Sequence, residues 1–338
     1  MIRWPGWVLV TLGAAYLASN ACEPVPLGDG PRLQGVKATA SDIMVPGLEA
    51  LEADAHALVA AIETGGREEA QATWRAARVA YKRIEPLGIG PVVDDRIGPR
   101  LDSPVDPARV LALAETATLT AEGLDELGAN RLGFHALEVL LFGDPALWSS
   151  PRTHRLASGL AAVLAADITR LRGLWTDGYA VRFSRIAQPD SVYATTGAAI
   201  DALVNVLVTQ TEKMFDKRLG APLGHESGGV VDPARAESPL SDASIDDLVA
   251  NIDGIEQVYG EALSALVTPA LDQRVRAAFA TARARLLAIR RPFAVALVDE
   301  TATVESAWAA VRALWVILRT EVVGATGAVL KFDSNDGD

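Results

Sequence analysis

The stretch "REEAQATWRAARVAYKRIEPL" (67–87) decides the fold class of this chain. Apolar and aromatic side chains recur in it at spacings of three and four residues, and Pro86 ends the pattern. That spacing places them on one face of an α-helix, whereas a strand would alternate apolar and polar residues. The same periodicity returns in 43–64, 151–177, about 193–218, 241–267, 269–290 and 301–323. Because no alternating pattern of useful length interrupts this series, the sequence predicts an all-α protein.

Helix starts are marked by local signals. The stretch "DPARVLALAETATLTAEGLDEL" (106–127) is predicted to form one helix, with Asp106 as N-cap and Pro107 at the first helical position. The helix of residues 241–267 is predicted to begin with Ser241 or Ser244 as its cap.

Composition narrows the class of protein. The 338 residues exceed the length of about 250 to 300 at which single cores stop growing, which favours two domains. Half of the residues are hydrophobic but only 6% are aromatic, which favours Ala/Leu/Val-rich helices over sheets. The formal net charge of −12 and the lack of a long basic run argue against a nucleic-acid partner.

The N-terminus is typical of an export signal. Residues 1–21 combine Arg3 with the apolar run 7–18, which is too short to span a bilayer comfortably, and we predict cleavage before Cys22. Cys22 is the only cysteine, so no internal disulfide forms; it suits lipidation, although an ordinary signal-peptidase cut fits as well. No later stretch is apolar and long enough for a transmembrane helix. We therefore predict a periplasmic protein that contacts a bacterial membrane only through a lipid anchor.

Two connections are long for a helical protein. Residues 86–107 and 219–241 are both rich in Gly and Pro, and ordered loops of this length often serve a site. We place the domain boundary in the second loop. The prediction is an N-terminal helical bundle at 35–218, a linker at 219–240 and a C-terminal bundle at 241–331.

A short repeat indicates that the two bundles are related and pack against each other. The spacing W-x3-R-x2-Y at 74–81 returns as W-x3-R-x2-W at 308–315. These positions share one helix face, so each arginine can lie between two aromatic rings. We interpret both stripes as core packing by the aromatic rings, with an arginine whose charged end reaches solvent.

The chemistry centres on "RLGFHALEVLLFGD" (131–144). His135 and Glu138 are three residues apart and point to the same side of a helix, where an imidazole and a carboxylate suit Fe, Zn or a similar ion. Gly133 would let another backbone approach closely. The alternative is a buried histidine that is satisfied by its own acidic neighbour. Such a pair needs further partners nearby, which we expect from Arg96, Arg100 or Glu237.

Standard catalytic patterns are incomplete in this chain. A metalloprotease helix reads H-E-x-x-H or H-x-x-E-H, and Val139 stands where the second histidine of the inverted form would be. There is no G-x-S-x-G elbow, and only one pair resembles those of a di-iron bundle, in reversed order. His135 and Glu138 are therefore half of a site, which the loops or the other bundle must complete.

Four stretches, in the same order, resemble the imelysin family, which is also classed as peptidase family M75. "GFHALEVLLFG" is similar to its G-x-H-x-x-E signature, and "AQATWRAARVAYKRIEPLGIGPV" to its tryptophan-bearing helix and loop. "ESPLSDASIDDLVANIDGIEQVYGE" and the terminal "FDSNDGD" resemble two further family segments. Together the four stretches span nearly the whole mature chain.

The resemblance implies two helical bundles meeting face to face, with the G-x-H-x-x-E helix near their junction. It assigns a role to His135 and Glu138 and, more weakly, to Glu85, Glu237 and Ser238. We predict His135, Glu138 and Glu85 as the metal ligands. The first loop departs from the family, which shows R-I-D followed by tryptophan and proline. Here Arg96 and Ile97 precede Gly98, and Asp102 follows later. Arg96 and Asp102 are further site candidates, together with Gly133.

The resemblance implies an exported protein that binds iron, another divalent transition metal or a small iron-containing ligand at the junction of the bundles, in iron uptake. One alternative is a metal-dependent peptidase of the M75 type. Another is a non-catalytic periplasmic adaptor for a membrane-protein partner, which binds no small ligand.

Overall fold

A computed structural model of the chain describes residues 29–116 and 120–331. The predicted signal peptide, Cys22 and the terminal "FDSNDGD" lie outside these residues. All regular structure in the two described ranges is helical, and neither contains a strand. The prediction of an all-α protein is confirmed.

The α-helices of seven or more residues form the framework. In chain order they are α1 (Asp29–Ala38), α2 (Val45–Thr64), α3 (Arg67–Ile84), α4 (Pro107–Ala114), α5 (Gly133–Phe142), α6 (Pro151–Leu174), α7 (Thr196–Lys213), α8 (Ser244–Val258), α9 (Pro269–Leu287), α10 (Phe293–Asp299) and α11 (Thr301–Ile317).

Shorter helical segments join or extend these helices. Single α-helical turns occur at Pro91–Asp94, Ile97–Leu101, Ala121–Asp125, Pro145–Trp148, Ala180–Ser184, Ala221–Leu223 and Val323–Thr326. Wider π-helical turns occur at Thr39–Met44, Trp175–Tyr179, Met214–Gly220, Tyr259–Leu263 and Leu318–Val322. Turns of 3₁₀ type occur at Ala129–Arg131, Pro233–Arg235 and Ser264–Leu266.

The helix predicted over 106–127 is divided in the structure. Its start is as predicted, because the Asp106 side chain accepts a hydrogen bond from the Ala108 amide, with Pro107 in the first turn. The helix ends at Ala114, however, and a new one begins after Thr120, whose hydroxyl accepts from the Gly123 amide. A second N-cap within the apolar pattern therefore separates two helices.

Helix α3 packs along α8 and so joins the N-terminal and C-terminal halves of the chain. Helix α2 packs on α3 and α6, and α5 lies against α6. In the second half, α9 packs on α8 and α11. Buried apolar side chains of both halves, from Val36 to Val322, form one continuous core. The division into two bundles, with its boundary at 219–240, remains a prediction.

Helices α3 and α8 approach each other unusually closely. A Cβ atom added at Gly254 would lie 1.9 Å from the backbone oxygen of Arg83, so only glycine fits at this crossing. One residue earlier in α3, the Lys82 carbonyl accepts a 2.6 Å hydrogen bond from the Asn251 side-chain amide. This contact holds the polar face of α3 against α8.

The two aromatic stripes have different surroundings. Arg78 is fully buried, whereas Arg312 is exposed with its guanidinium 5.7 Å from the centre of the Trp308 ring. Our interpretation holds for Arg312, but it is wrong for Arg78. The reason is that buried carboxylates surround the Arg78 guanidinium and neutralise its charge, which makes its burial stable.

The C-terminal helical region also differs from expectation. The run Thr301–Thr326 is long and apolar enough to cross a membrane by length and composition alone. Its residues Val304, Val311, Leu314 and Leu318 belong to the protein core. A core helix satisfies the same test, so this run is weak evidence for a membrane span.

Candidate functional site

A cluster of buried charged side chains lies where α3, α5 and α8 meet. We call it the buried ion cluster, and its members are Arg78, Lys82, Glu85, Asp102, His135, Glu138, Arg218, Glu237 and Asp247. These side chains are at most 15% exposed. A charge so far from water is stable only when opposite charges and hydrogen bonds surround it.

Helix α3 supplies the central cations, since Arg78 and Lys82 are four residues apart and share one face. The Arg78 guanidinium contacts Asp102 and lies 3.0 Å from Asp247 Oδ2 and 3.4 Å from Glu237 Oε1. Lys82 Nζ lies 2.6 Å from Asp102 Oδ2 and 2.6 Å from Glu237 Oε1. Burial and the neighbouring arginines lower the pKa of Lys82, but these carboxylates outweigh them and raise it, so Lys82 is charged.

The left-handed start of α5 brings His135 to this cluster. Gly133 has φ +74°, and an added Cβ atom would lie 2.2 Å from the Leu101 carbonyl oxygen. The close backbone approach that we inferred for Gly133 is therefore present. It places the first turn of α5 against the Ile97–Leu101 turn, so that Asp102, the next residue, lies beside His135.

His135 has a carboxylate oxygen at each ring nitrogen. Its Nε2 is 3.0 Å from Asp102 Oδ1, and its Nδ1 is 3.1 Å from Glu138 Oε2. Burial and the positive charge of Arg78 lower the pKa of His135, but hydrogen bonds to the two carboxylates outweigh both effects and raise it to about 9. At neutral pH the ring is an imidazolium whose two N–H groups each donate a hydrogen bond to a carboxylate.

Glu138 joins α5 to the second long loop. Its Oε1 accepts hydrogen bonds from the amides of Leu240 (3.1 Å) and Ser241 (2.9 Å) and from the Ser241 hydroxyl (2.7 Å). Burial raises the pKa of Glu138, but its bonds to His135 and Ser241 outweigh that effect and lower it. The residue is therefore an ionised anchor for the loop.

The serines predicted to cap α8 have other roles. The N-cap position is Ala243, and no side chain caps it. Ser241 is held by Glu138, while the Ser244 hydroxyl accepts from the Ser238 amide at 3.3 Å. The prediction of a serine cap is wrong because the loop uses both hydroxyls for its own contacts.

Ser238 reaches the cluster through α8. Its hydroxyl donates to Asp247 Oδ2 at 2.7 Å, and the same oxygen accepts from Arg78 Nε at 3.1 Å. Asp247 Oδ1 is buried without a hydrogen-bond partner. Burial raises the pKa of Asp247 despite the opposing charges of Arg78 and Lys82.

Glu85 lies at the other end of the cluster. Its Oε1 is 2.6 Å from Arg218 Nη2, and its Oε2 accepts from Asn251 at 2.9 Å and from Lys82 at 3.1 Å. Burial raises the pKa of Glu85, but Arg218 and Lys82 outweigh this and lower it to about 2. Arg218 Nε also forms an ion pair with Glu237 Oε2 at 2.8 Å.

One subset of the cluster has the geometry of a metal-ligand set. Asp102, His135 and Glu237 each offer one ligand atom, and these atoms all lie within 4.8 Å of one another. An imidazole nitrogen with two carboxylate oxygens is a donor set that suits Fe, Mn or Zn. The residues present therefore fit a first-row transition-metal ion, although Arg78 and Lys82 now neutralise both carboxylates.

The structure distributes the predicted ligands differently. Of His135, Glu138 and Glu85, only His135 belongs to the set. Glu138 is bound by the loop and Glu85 by Arg218. Asp102 and Glu237, which we named as further candidates, complete it. The assignment of ligands remains a prediction.

Of the arginines that we expected beside His135, neither supplies the cluster's cations. Arg96 is exposed, with φ +54°, at the start of the Ile97–Leu101 turn. Arg100 pairs instead with Asp125 and Asp167. Glu237, the third expected partner, does lie in the cluster.

Sequence reasoning did not assign Arg78, Lys82 or Arg218 to the site. A signal for Arg78 was present, because a charged residue stands between Trp74 and Tyr81 on an otherwise apolar face. Such a position fits a snorkelling side chain as well as a buried one. Only the carboxylates that the two loops and α8 supply distinguish the two cases.

The fold and the cluster define a class: an all-helical protein whose two long loops close over buried acidic and basic side chains at a helix junction. A family model described as Imelysin, peptidase M75, matches residues 38–318. The chain belongs to the imelysin family, and the resemblance seen in the sequence is confirmed.

Similar proteins agree with this family. Iron-regulated protein A of Synechococcus elongatus is 27% identical over an alignment of 309 residues, and the match covers 83% of this chain and 81% of that protein. A crystal structure from Parabacteroides distasonis, described as an iron-regulated protein A precursor, has a TM-score of 0.77 at 20% identity and covers 90% of this chain and 97% of its own. An imelysin-like protein from Psychrobacter arcticum gives 0.76 at 14% identity, covering 91% and 99%. The two structures support the fold.

Proposed function

We propose that this protein is an exported metal-binding protein of iron handling, and that Asp102, His135 and Glu237 hold the ion. The observation that supports this most strongly is the convergence of their three ligand atoms within 4.8 Å at the junction of the helices. Each residue comes from a different segment: the first loop, α5 and the second loop. Binding would therefore connect the parts of the chain that meet at the cluster.

The chain's own groups must rearrange to admit an ion. His135 must release the Nε2 proton that now faces Asp102 Oδ1, because only the neutral ring nitrogen is a ligand. Glu138 keeps its bond to Nδ1 and fixes the orientation of the ring, a role that carboxylates commonly have behind metal-binding histidines. A bound transition-metal ion would be held by one nitrogen and two oxygens.

Iron is the proposed ion because of the relatives. Two similar proteins are named as iron-regulated, and one of them is described as a precursor. The description of that relative as a precursor agrees with our prediction of a signal peptide at 1–21. We propose that the mature chain is held at a bacterial membrane in the periplasm through a lipid on Cys22.

The cluster favours binding over peptide hydrolysis. Its side chains are at most 15% exposed, so a polypeptide carbonyl does not reach them without opening of the loops. The Ser241 hydroxyl donates to Glu138, whose lowered pKa makes it a weak base. A nucleophile poised beside a suitable base is therefore not formed by these residues.

The test is anaerobic equilibrium dialysis against Fe²⁺, with Mn²⁺ and Zn²⁺ in parallel. We compare the wild-type protein with the double variant Asp102→Asn, His135→Gln. The matched control is Asp167→Asn, which removes a buried carboxylate that pairs with Arg100 outside the cluster. Circular dichroism verifies folding of each protein.

We expect a single ion per wild-type or control chain and at least about tenfold weaker binding in the double variant. Unchanged binding in the double variant would refute the assignment of the site. A wild-type protein that binds none of the three ions would favour the adaptor alternative. Chelator-sensitive peptide cleavage that survives repurification would favour the peptidase alternative.

A further inference from the structure

The ammonium group of Lys82 lies among three carboxylates. Its Nζ is 2.6 Å from Asp102 Oδ2, 2.6 Å from Glu237 Oε1 and 3.1 Å from Glu85 Oε2. Lys82 is fully buried, so these oxygens replace its water shell. Two of the three carboxylates belong to the metal-ligand set that we propose.

We propose that Lys82 is a tethered counter-cation, which occupies the carboxylate side of the ligand set in the metal-free protein and is displaced when an ion binds. This inference rests on the proposed function. An ammonium and a metal ion repel each other strongly at such distances in a site that is largely shielded from solvent. Both cannot be bound to the same two oxygens.

Arg78 also contacts the ligand set, yet its other contacts hold it in place. Its guanidinium binds Asp247 Oδ2 through Nε at 3.1 Å and through Nη2 at 3.0 Å. Asp247 Oδ1 already has no hydrogen-bond partner. Withdrawal of Arg78 would therefore leave a buried carboxylate with only the Ser238 hydroxyl as a donor.

Withdrawal of Lys82 leaves none of its three partners without a cation. Glu85 keeps Arg218 at 2.6 Å, and Glu237 keeps the same arginine at 2.8 Å. Asp102 keeps its contact with Arg78. The Lys82 side chain also carries a compact charge on a flexible four-carbon stem, so it can move without disturbing the ion pairs of Arg78 and Arg218. Lys82 is therefore the exchangeable cation.

The exchange has a functional consequence. The carboxylates are held in place while no ion is bound, because Lys82 adds a positive charge to those of Arg78 and Arg218 around them. The same charge competes with the ion, which weakens binding and promotes release. A site with its own competing cation suits a protein that passes an ion on.

The experiment removes the charge of Lys82 and measures two properties: the Mn²⁺ affinity by calorimetry and the thermal midpoint of the metal-free protein. Lys82→Met keeps most of the side-chain volume without the charge. Lys82→Gln also retains a hydrogen-bond donor, and serves if the methionine variant does not fold. Lys82→Arg keeps the charge. The surface control is Lys217→Met, because Lys217 pairs with Asp216 and Glu226 in solvent.

We expect the neutral variants to bind Mn²⁺ at least about tenfold more tightly than the wild type, because a competing charge has been removed. Their metal-free midpoints should be lower, and Mn²⁺ should raise them by more than it raises the wild-type midpoint. Lys82→Arg and Lys217→Met should not bind more tightly than the wild type.

Equal or weaker binding by the neutral variants overturns the inference about Lys82. That failure is distinct from failure of the proposed function. In the first case the wild-type protein still binds through Asp102 and His135, and in the second the double variant of those residues binds as well as the wild type.

Discussion

Glu138→Gln is the substitution whose effect follows most directly from the contacts of the cluster. The carboxylate uses both oxygens: Oε1 accepts three hydrogen bonds from Leu240 and Ser241, and Oε2 accepts one from His135. Glutamine has nearly the same shape but only one oxygen. Its NH₂ group must face either the loop amides or the His135 Nδ1 proton.

The orientation that loses less stability is the one in which the glutamine oxygen faces the loop. Three hydrogen bonds to a carboxylate then become bonds to a neutral amide, and the charged bond to His135 is lost. Hydrogen bonds to charged groups contribute about 1.5–3 kcal/mol each, and neutral ones about 0.5–1.5 kcal/mol. Because such effects are not fully additive, we expect the free energy of unfolding to fall by about 3 kcal/mol, a large fraction of a typical domain's stability.

The assay is denaturant unfolding at pH 7, monitored by circular dichroism. Glu115→Gln is the matched control, since Glu115 pairs with Arg152 at 2.8 Å but is 74% exposed. The control should change the unfolding free energy by less than about 0.5 kcal/mol. The reasoning about Glu138 is refuted if its variant loses less than about 1 kcal/mol, because the loop anchor would then contribute no more than a surface ion pair.

Two further predictions concern packing and pH. Gly254→Ala should lower the free energy of unfolding by at least about 2 kcal/mol because its methyl group meets the Arg83 carbonyl, while Gly260→Ala, with open space around it, should have little effect; equal denaturation midpoints for the two variants would contradict the close helix contact. The raised pKa of His135 stabilises the folded protein fully below about pH 6.5, and this stabilisation is lost as pH rises through about 9. Between pH 6 and pH 9.5 the free energy of unfolding, measured with urea, should therefore fall by about 3 kcal/mol more in the wild-type protein than in His135→Gln. An equal fall in both proteins would exclude stabilisation by protonated His135.

The long helices could be predicted because their signals are local. Asp106 with Pro107 marks a helix start, and the apolar spacing in α3 gives its buried face. The break after Ala114 was missed because the threonine cap at Thr120 lies inside a continuous apolar pattern. Helical periodicity continues through such a cap, so it does not report the interruption.

The site could be predicted only in part, for the opposite reason. His135 and Glu138 are three residues apart in one helix, so their mutual contact could be predicted from this spacing. The partners of His135 come from elsewhere: Asp102 ends the Ile97–Leu101 turn, and Glu237 comes from the second loop. Spacing along a helix contains no information about these long-range contacts.

The burial of Arg78 and Lys82 shows the same limit. Long basic side chains on a helix usually reach solvent, and the sequence of α3 agrees with that. They stay inside because Asp102, Glu237 and Asp247 surround them. Their position depends on three segments that are distant in sequence.

Binding of an ion between Asp102, His135 and Glu237 can be observed in a crystal. The most direct measurement is an anomalous difference map from crystals of the full mature protein, loaded anaerobically with one equivalent of Fe²⁺ and recorded on both sides of the iron absorption edge. We expect a single peak within ligand distance of His135 Nε2 and of one oxygen from each carboxylate. A peak at any other place in protein that has bound its iron would contradict it.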